Sequence, residues 1–114
     1  MIVDDNADAA TMLGMLLEAS GHEVLVEYGP AGALALAAAA GPAVCVLDIG
    51  LPDMDGYELA RRLRGMDGTR DALLIAVTGY GQENDRKRAQ EAGFDHHMIK
   101  PVDAGRLLRL IEAA

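Results

Sequence analysis

Five short apolar runs, each followed by a stretch of helical periodicity, govern what this 114-residue chain can fold into. The runs cover residues 1–3, 22–27, 44–47, 72–77 and 95–99; the helical stretches cover 7–20, 30–40, 56–64, 83–92 and the segment beyond Asp103. Such alternation demands parallel strands, because right-handed crossovers lay the intervening helices on both faces of the sheet. Residues 44–47 and 72–77 are apolar throughout, as strands covered on both faces must be. Residues 22–27 alternate loosely and belong at an outer position. No Pro/Ser-rich linker interrupts the series, so residues 1–114 are expected to form one domain, an α/β sandwich. That length builds a core without disulfides or metals to hold it together.

Local signals punctuate the helices. Asn6 is placed to cap the first and Gly21 to stop it, with Ala9, Met12, Leu13, Leu16 and Leu17 at helical spacing. The alanine-rich "LALAAAAG" reads as helix rather than disorder, since alanine is the best helix former. Asp55 and Glu58 make a capping box, with Met54 and Leu59 spaced as a hydrophobic staple. Asp103 caps the last helix, with Val102 and Leu107 as a second staple. Aromatic content is 4% with no Trp, so the core must be aliphatic. Cys45 is the sole cysteine, which excludes an internal disulfide, and its apolar setting reads as a small buried thiol. A net charge of −8 argues against non-specific nucleic-acid binding, which needs basic stripes. No apolar run reaches the roughly 18–20 residues of a membrane span, and "MIVDDNADAA" lacks the shape of a signal peptide. A cytoplasmic location without direct membrane contact is therefore expected.

The polar residues fall in a pattern of their own. Open parallel sheets bind ligands beyond the carboxyl ends of their strands. The residues leaving those ends are Asp4 and Asp5 after the first strand, Asp48 after the third, Thr78 after the fourth and Lys100 after the fifth. Three carboxylates gathered at one rim raise each other's pKa unless a cation sits among them. Oxygen donors without His or Cys favour a hard ion, and Mg²⁺ fits best. Such a site attracts phosphoryl groups, with Lys100 and Thr78 available to further phosphoryl oxygens. Asp48, on the middle strand, is the natural nucleophile for an acyl phosphate.

These residues occur within "VDDN", "VLDIGLPDMDGYE", "AVTGY" and "HHMIKPVD". On those four motifs, over essentially its whole length, the chain resembles the receiver domains of two-component response regulators. The resemblance implies a doubly wound (βα)5, flavodoxin-like sandwich with strand order 2-1-3-4-5. It implies phosphotransfer from a histidine kinase or a histidine phosphotransfer protein to Asp48, in a signalling domain that catalyses only its own phosphorylation and dephosphorylation. It also implies Mg²⁺ held by Asp5, Asp48 and the backbone carbonyl of Gly50, with Asp4 acting through water, and a cis Lys100–Pro101 peptide. The phrases "VDDNADAA", "GLPDMDGYELARRLR" and "GFDHHMIKPVD" are most similar to receivers attached to hybrid sensor kinases.

By the same resemblance Thr78 and the residue three before the Lys form the switch; that residue is His97, where an aromatic ring is usual. Gly50 leaves little bulk over the phosphoryl site, and Tyr80 is placed to cover part of it. The fourth helix, fifth strand and fifth helix form the expected output face. On the first helix Met12, Met15 and Leu16 include more apolar side chains than one buried stripe requires; Met12 and Leu16 are read as core, so Met15 is the one that suggests contact with the phosphodonor. Two other functions stay in view. A dehalogenase-like phosphatase also forms an aspartyl phosphate but needs a second acid two residues on, where this chain has Gly50. A flavodoxin-type FMN module needs a hydroxyl-rich phosphate loop where "DDNADAA" supplies acids.

Overall fold

A computed structural model describes residues 1–51, 53–79 and 83–113, and for residues 83–85 the backbone alone. The elements are β1 (Ile2–Val3), α1 (Ala7–Ala19), β2 (Val26–Glu27), α2 (Pro30–Ala40), β3 (Val44–Asp48), α3 (Gly56–Arg64), β4 (Leu73–Thr78), α4 (Glu83–Ala92), β5 (His96–Ile99) and α5 (Ala104–Glu112). The strands form a single parallel sheet in the order β2-β1-β3-β4-β5, the doubly wound topology that the resemblance implies. The expected caps are made. Asn6 accepts from the Ala9 N–H (3.1 Å), Asp55 from Glu58 (2.8 Å) and Asp103 from Arg106 (3.2 Å). Glu58 turns instead toward Arg61 and Arg62, each at 3.3 Å.

Strand alternation divides the core into two layers. Val3, Cys45, Leu47, Leu74 and Ala76 face α2, α3 and α4. Ile2, Val46, Ile75, Val77 and Met98 face α1 and α5. Cys45 is fully buried, and burial raises its thiol pKa. Two residues further along their strands, the same alternation carries Asp4, Asp48 and Lys100 toward the α1/α5 side.

Two expectations are corrected. The outer strand spans two residues rather than 22–27, because its only partner, β1, offers two rungs, Ile2 to Val26 and Val3 to Glu27. The buried face of α1 is Ala10, Gly14 and Leu17, with Leu13 partly buried, so Ala9, Met12 and Leu16 are not core. Gly14 lies at the centre of that buried face. A Cβ there would sit 3.4 Å from Val24 and 3.5 Å from Val26, in ordinary contact with both side chains.

Gly56 opens α3 against the segment that follows Asp48. A Cβ on it would lie 2.7 Å from the Ile49 Cα and 2.9 Å from the Asp48 carbonyl oxygen, while its N–H donates to the Ile49 carbonyl (3.0 Å). Helix propensity alone favours alanine over glycine by about 1 kcal/mol. Overpacking against backbone costs more, so Gly56→Ala is expected to destabilise by roughly 1–3 kcal/mol in urea denaturation. Unchanged or increased stability would show that the approach is loose.

Candidate functional site

Asp48 ends β3 with only 6% of its surface exposed, among residues that cannot neutralise it locally. Its partners come from elsewhere in the chain. Oδ1 accepts the N–H of Gly50 at 2.9 Å, and Oδ2 accepts from the Lys100 ammonium at 2.9 Å. Lys100 arrives from the end of β5, its backbone N–H bonded to the Thr78 carbonyl (2.7 Å), and the peptide that follows it, to Pro101, is cis. Its ammonium lies 3.8 Å from Asp4 Oδ2, while Asp4 Oδ1 accepts the N–H of Asn6 at 2.9 Å. Carboxylate oxygens of Asp4, Asp5 and Asp48 come within 4.8 Å of one another. Asp5 is exposed, so the cluster opens to solvent on one side.

The charges are unevenly balanced. Burial raises the Asp4 pKa above its ordinary value; the Asn6 N–H opposes the rise and the negative charge of Asp48 adds to it. For Lys100, burial opposes the charged form. The hydrogen bond and charge of Asp48 outweigh that effect, with help from Asp4 and Asp5, and its pKa is raised. The ammonium is therefore fully charged at neutral pH, and what it contributes to stability is lost only as alkaline pH passes its raised value. One cation thus faces three carboxylates, an arrangement that suits a further positive charge.

Thr78 closes β4 beside Asp48's own partner, Val77, and is 7% exposed. Gly50 offers the site its backbone, and among the described residues a Cβ on it would meet only Asp48 Oδ1, at 3.6 Å. The structure therefore gathers Asp4, Asp5, Asp48, Thr78, Lys100 and Gly50 at the carboxyl ends of the strands. His97 stands apart on β5, half-buried, in a 710 Å³ cleft with Arg86, Gln90 and Arg106. Tyr80 lies outside the described residues. Sequence reasoning missed two supports, the Asn6 N–H that fixes Asp4 and the bare Gly56 that seats the loop after Asp48. A glycine directly after a capping aspartate was the available signal for the second.

The family model for the response regulator receiver domain matches residues 1–112, and the chain belongs to this family. It is 32% identical over 113 residues to the polar-differentiation response regulator DivK of Brucella anthropi, covering 99% of this chain and 92% of DivK. It is similar to a CheY-like response regulator receiver domain protein from Methanospirillum hungatei, with a TM-score of 0.90 at 30% identity, covering 98% of this chain and 88% of that one. A response regulator from Burkholderia pseudomallei superposes with a TM-score of 0.86 at 27% identity, covering 98% and 69%. The chain is thus a receiver domain of two-component signalling, a class that takes phosphate from histidine kinases or phosphotransfer proteins, binds Mg²⁺ at a cluster of acids and signals rather than turning over a substrate. Among the described residues no helix is long and apolar enough to cross a membrane.

A raised carboxyl pKa means that the folded state resists ionisation, so its cost appears as pH climbs from the ordinary carboxylate range through the raised value. In metal-free buffer Asp4→Asn is expected to melt above the wild type at neutral pH, the difference vanishing in acid. A variant that melts below the wild type at neutral pH would mean that Asp4 is needed to hold Lys100.

Proposed function

We propose that residues 1–114 form one phosphoacceptor domain whose Asp48 takes a phosphoryl group from a phosphohistidine on a histidine kinase or histidine phosphotransfer protein. The observation that carries this reading is the Asp48 carboxylate itself, buried at a strand end, bonded to Lys100 at 2.9 Å and flanked by two further acids. One carboxylate oxygen bonds to phosphorus as the phosphorus–nitrogen bond breaks, and the departing imidazole keeps the electron pair. Lys100 holds the carboxylate and, with the Thr78 hydroxyl, receives phosphoryl oxygens. Asp5, Asp48 and the Gly50 carbonyl would hold Mg²⁺, with Asp4 acting through a water. The donor set is all oxygen and partly open to solvent, as suits a cation that keeps several waters. Bound there, Mg²⁺ supplies neutralising charge to the phosphoryl oxygens. The Burkholderia pseudomallei structure carries a phosphorylated aspartic acid and a calcium ion, which supports the same pairing here.

Phosphorylation would then bias two states through Thr78 and His97, with α4, β5 and α5 as the output face. Attachment to a hybrid sensor kinase is the context favoured by the three phrases "VDDNADAA", "GLPDMDGYELARRLR" and "GFDHHMIKPVD". A cytoplasmic site of action belongs to the same reading, and the net charge of −8 supports a role without nucleic-acid contact.

Incubation with acetyl phosphate and Mg²⁺, read by intact mass, should give one phosphoryl adduct on the wild type and none on Asp48→Asn. An adduct on both, or on neither, contradicts the assignment. In calorimetry Asp4→Asn should weaken Mg²⁺ binding about 10–100-fold, the usual effect of losing a group that supports the ligands directly bound to the metal. If His97 is a switch residue, His97→Phe will alter the change in amide exchange over β5 on phosphorylation; an identical change would remove it from the mechanism.

A further inference from the structure

The cleft that holds His97 carries charges for which the phosphoacceptor chemistry has no use. Residues 86–109 contain six Lys and Arg against three Asp and Glu, in a chain whose net charge is −8. Arg86 and Gln90 stand four apart on α4 and share one face of that helix. Arg106 comes from the first turn of α5, and His96, His97 and Ile99 come from β5. All of them line the same 710 Å³ cleft, within the range of about 300–1,000 Å³ usual for small-molecule sites. The two acids in its lining are already engaged. Asp95 Oδ2 accepts from Arg64 and from the N–H of Leu74, each at 2.9 Å, and Asp103 Oδ1 accepts the N–H of Arg106 at 3.2 Å. Elsewhere in this stretch, Lys100 is held by Asp48 and Arg88 lies over the Tyr57 ring. Arg86 and Arg106 form no ion pair with another described residue, so their charges are left to the cleft. Part of the lining is apolar and open: Ile99 is 44% exposed, and Pro101 is exposed as well.

We infer that this cleft binds a nucleotide, its phosphates on Arg86 and Arg106 and its base against Ile99 and Pro101. Guanidinium groups present planar forks that match phosphate oxygens, and Gln90, His96 and His97 add side chains able to donate or accept. An open apolar surface beside the charges suits a flat ring rather than a bare anion. The site is separate from the acids around Asp48, whose field repels phosphate unless a metal intervenes. It therefore stands independently of the phosphoacceptor reading. Because the cleft lies on the face proposed for output, a bound nucleotide would compete there with a protein partner.

The probes are ADP, GDP, CDP and UDP, titrated calorimetrically into the 114-residue protein in EDTA, which removes any Mg²⁺ able to carry phosphate to Asp48. At least one should bind with a Kd below about 1 mM, and more weakly as salt is raised. Arg86→Gln with Arg106→Gln should lose at least about tenfold in affinity, as loss of charged hydrogen bonds does. Arg109→Gln, one turn further along α5 and outside the cleft, should bind as the wild type does, which separates the cleft from charge in general. No binding by any of the four, or unchanged binding in the double variant, would overturn the inference. Pyrophosphate binding as tightly as the best nucleotide would overturn it too, since no ring would then be recognised. A short Asp/Glu peptide binding more tightly than all four would overturn it by assigning the cleft to a protein partner.

Discussion

The contact between the Lys100 ammonium and the Asp48 carboxylate, 2.9 Å long and joining residues 52 apart in sequence, is the constraint around which the rest of the molecule is arranged. A carboxylate at the end of a strand in the middle of the sheet gives up most of its water shell, and isolated burial of such a charge costs on the order of several kcal/mol. Lys100 offsets part of that from the other side of β4. The pair is asymmetric, since the lysine side chain is 39% exposed while the aspartate is nearly enclosed. One end of the interaction is therefore fixed by the core and the other remains accessible to a ligand. On the proposed reading, phosphorylation of Asp48 would exchange the carboxylate for a more highly charged group at the same place, and the same ammonium is already within reach.

Holding that geometry is the work of residues outside the site. Gly56 admits the backbone after Asp48, and the next residue, Tyr57, is buried with its ring at 78° to Phe94 and under the Arg88 guanidinium at 4.4 Å. The start of α3 is thereby packed against Arg88 of α4 and against Phe94 just beyond that helix. At the opposite end of the strands Arg64 donates to the carbonyls of Gly93 (2.7 Å), Ala72 (2.6 Å) and Arg70 (2.9 Å) and pairs with Asp95 (2.9 Å). It closes α3, β4 and β5 together far from the chemistry.

Much of this was legible in the residues alone, and the reasons are local. Caps at Asn6, Asp55 and Asp103 and the continuous apolar runs of β3 and β4 are short-range signals, so the elements and their order could be read directly. The site was readable because strand ends in a parallel sheet converge, and period-two alternation puts Asp4, Asp48 and Lys100 on one side of it. Two features depended on tertiary packing and were misread. The length of β2 is set by its partner rather than by its own pattern. The buried face of α1 includes the small residues Ala10 and Gly14, which a search for large apolar residues passes over. That second error concealed the exposed Met12 and Leu16, and with them most of the surface beside Asp48.

Of the several carboxylates crowded at the rim, Asp48 is the one proposed as the nucleophile. Reduction of the phosphorylated protein with borohydride converts the acyl phosphate carbon to an alcohol, and peptide mass spectrometry then locates the altered side chain. Conversion at Asp48 alone is the predicted result. Conversion at Asp4, Asp5 or Asp53 would contradict the account, because it would mean that the ion pair with Lys100 does not mark the reactive oxygen.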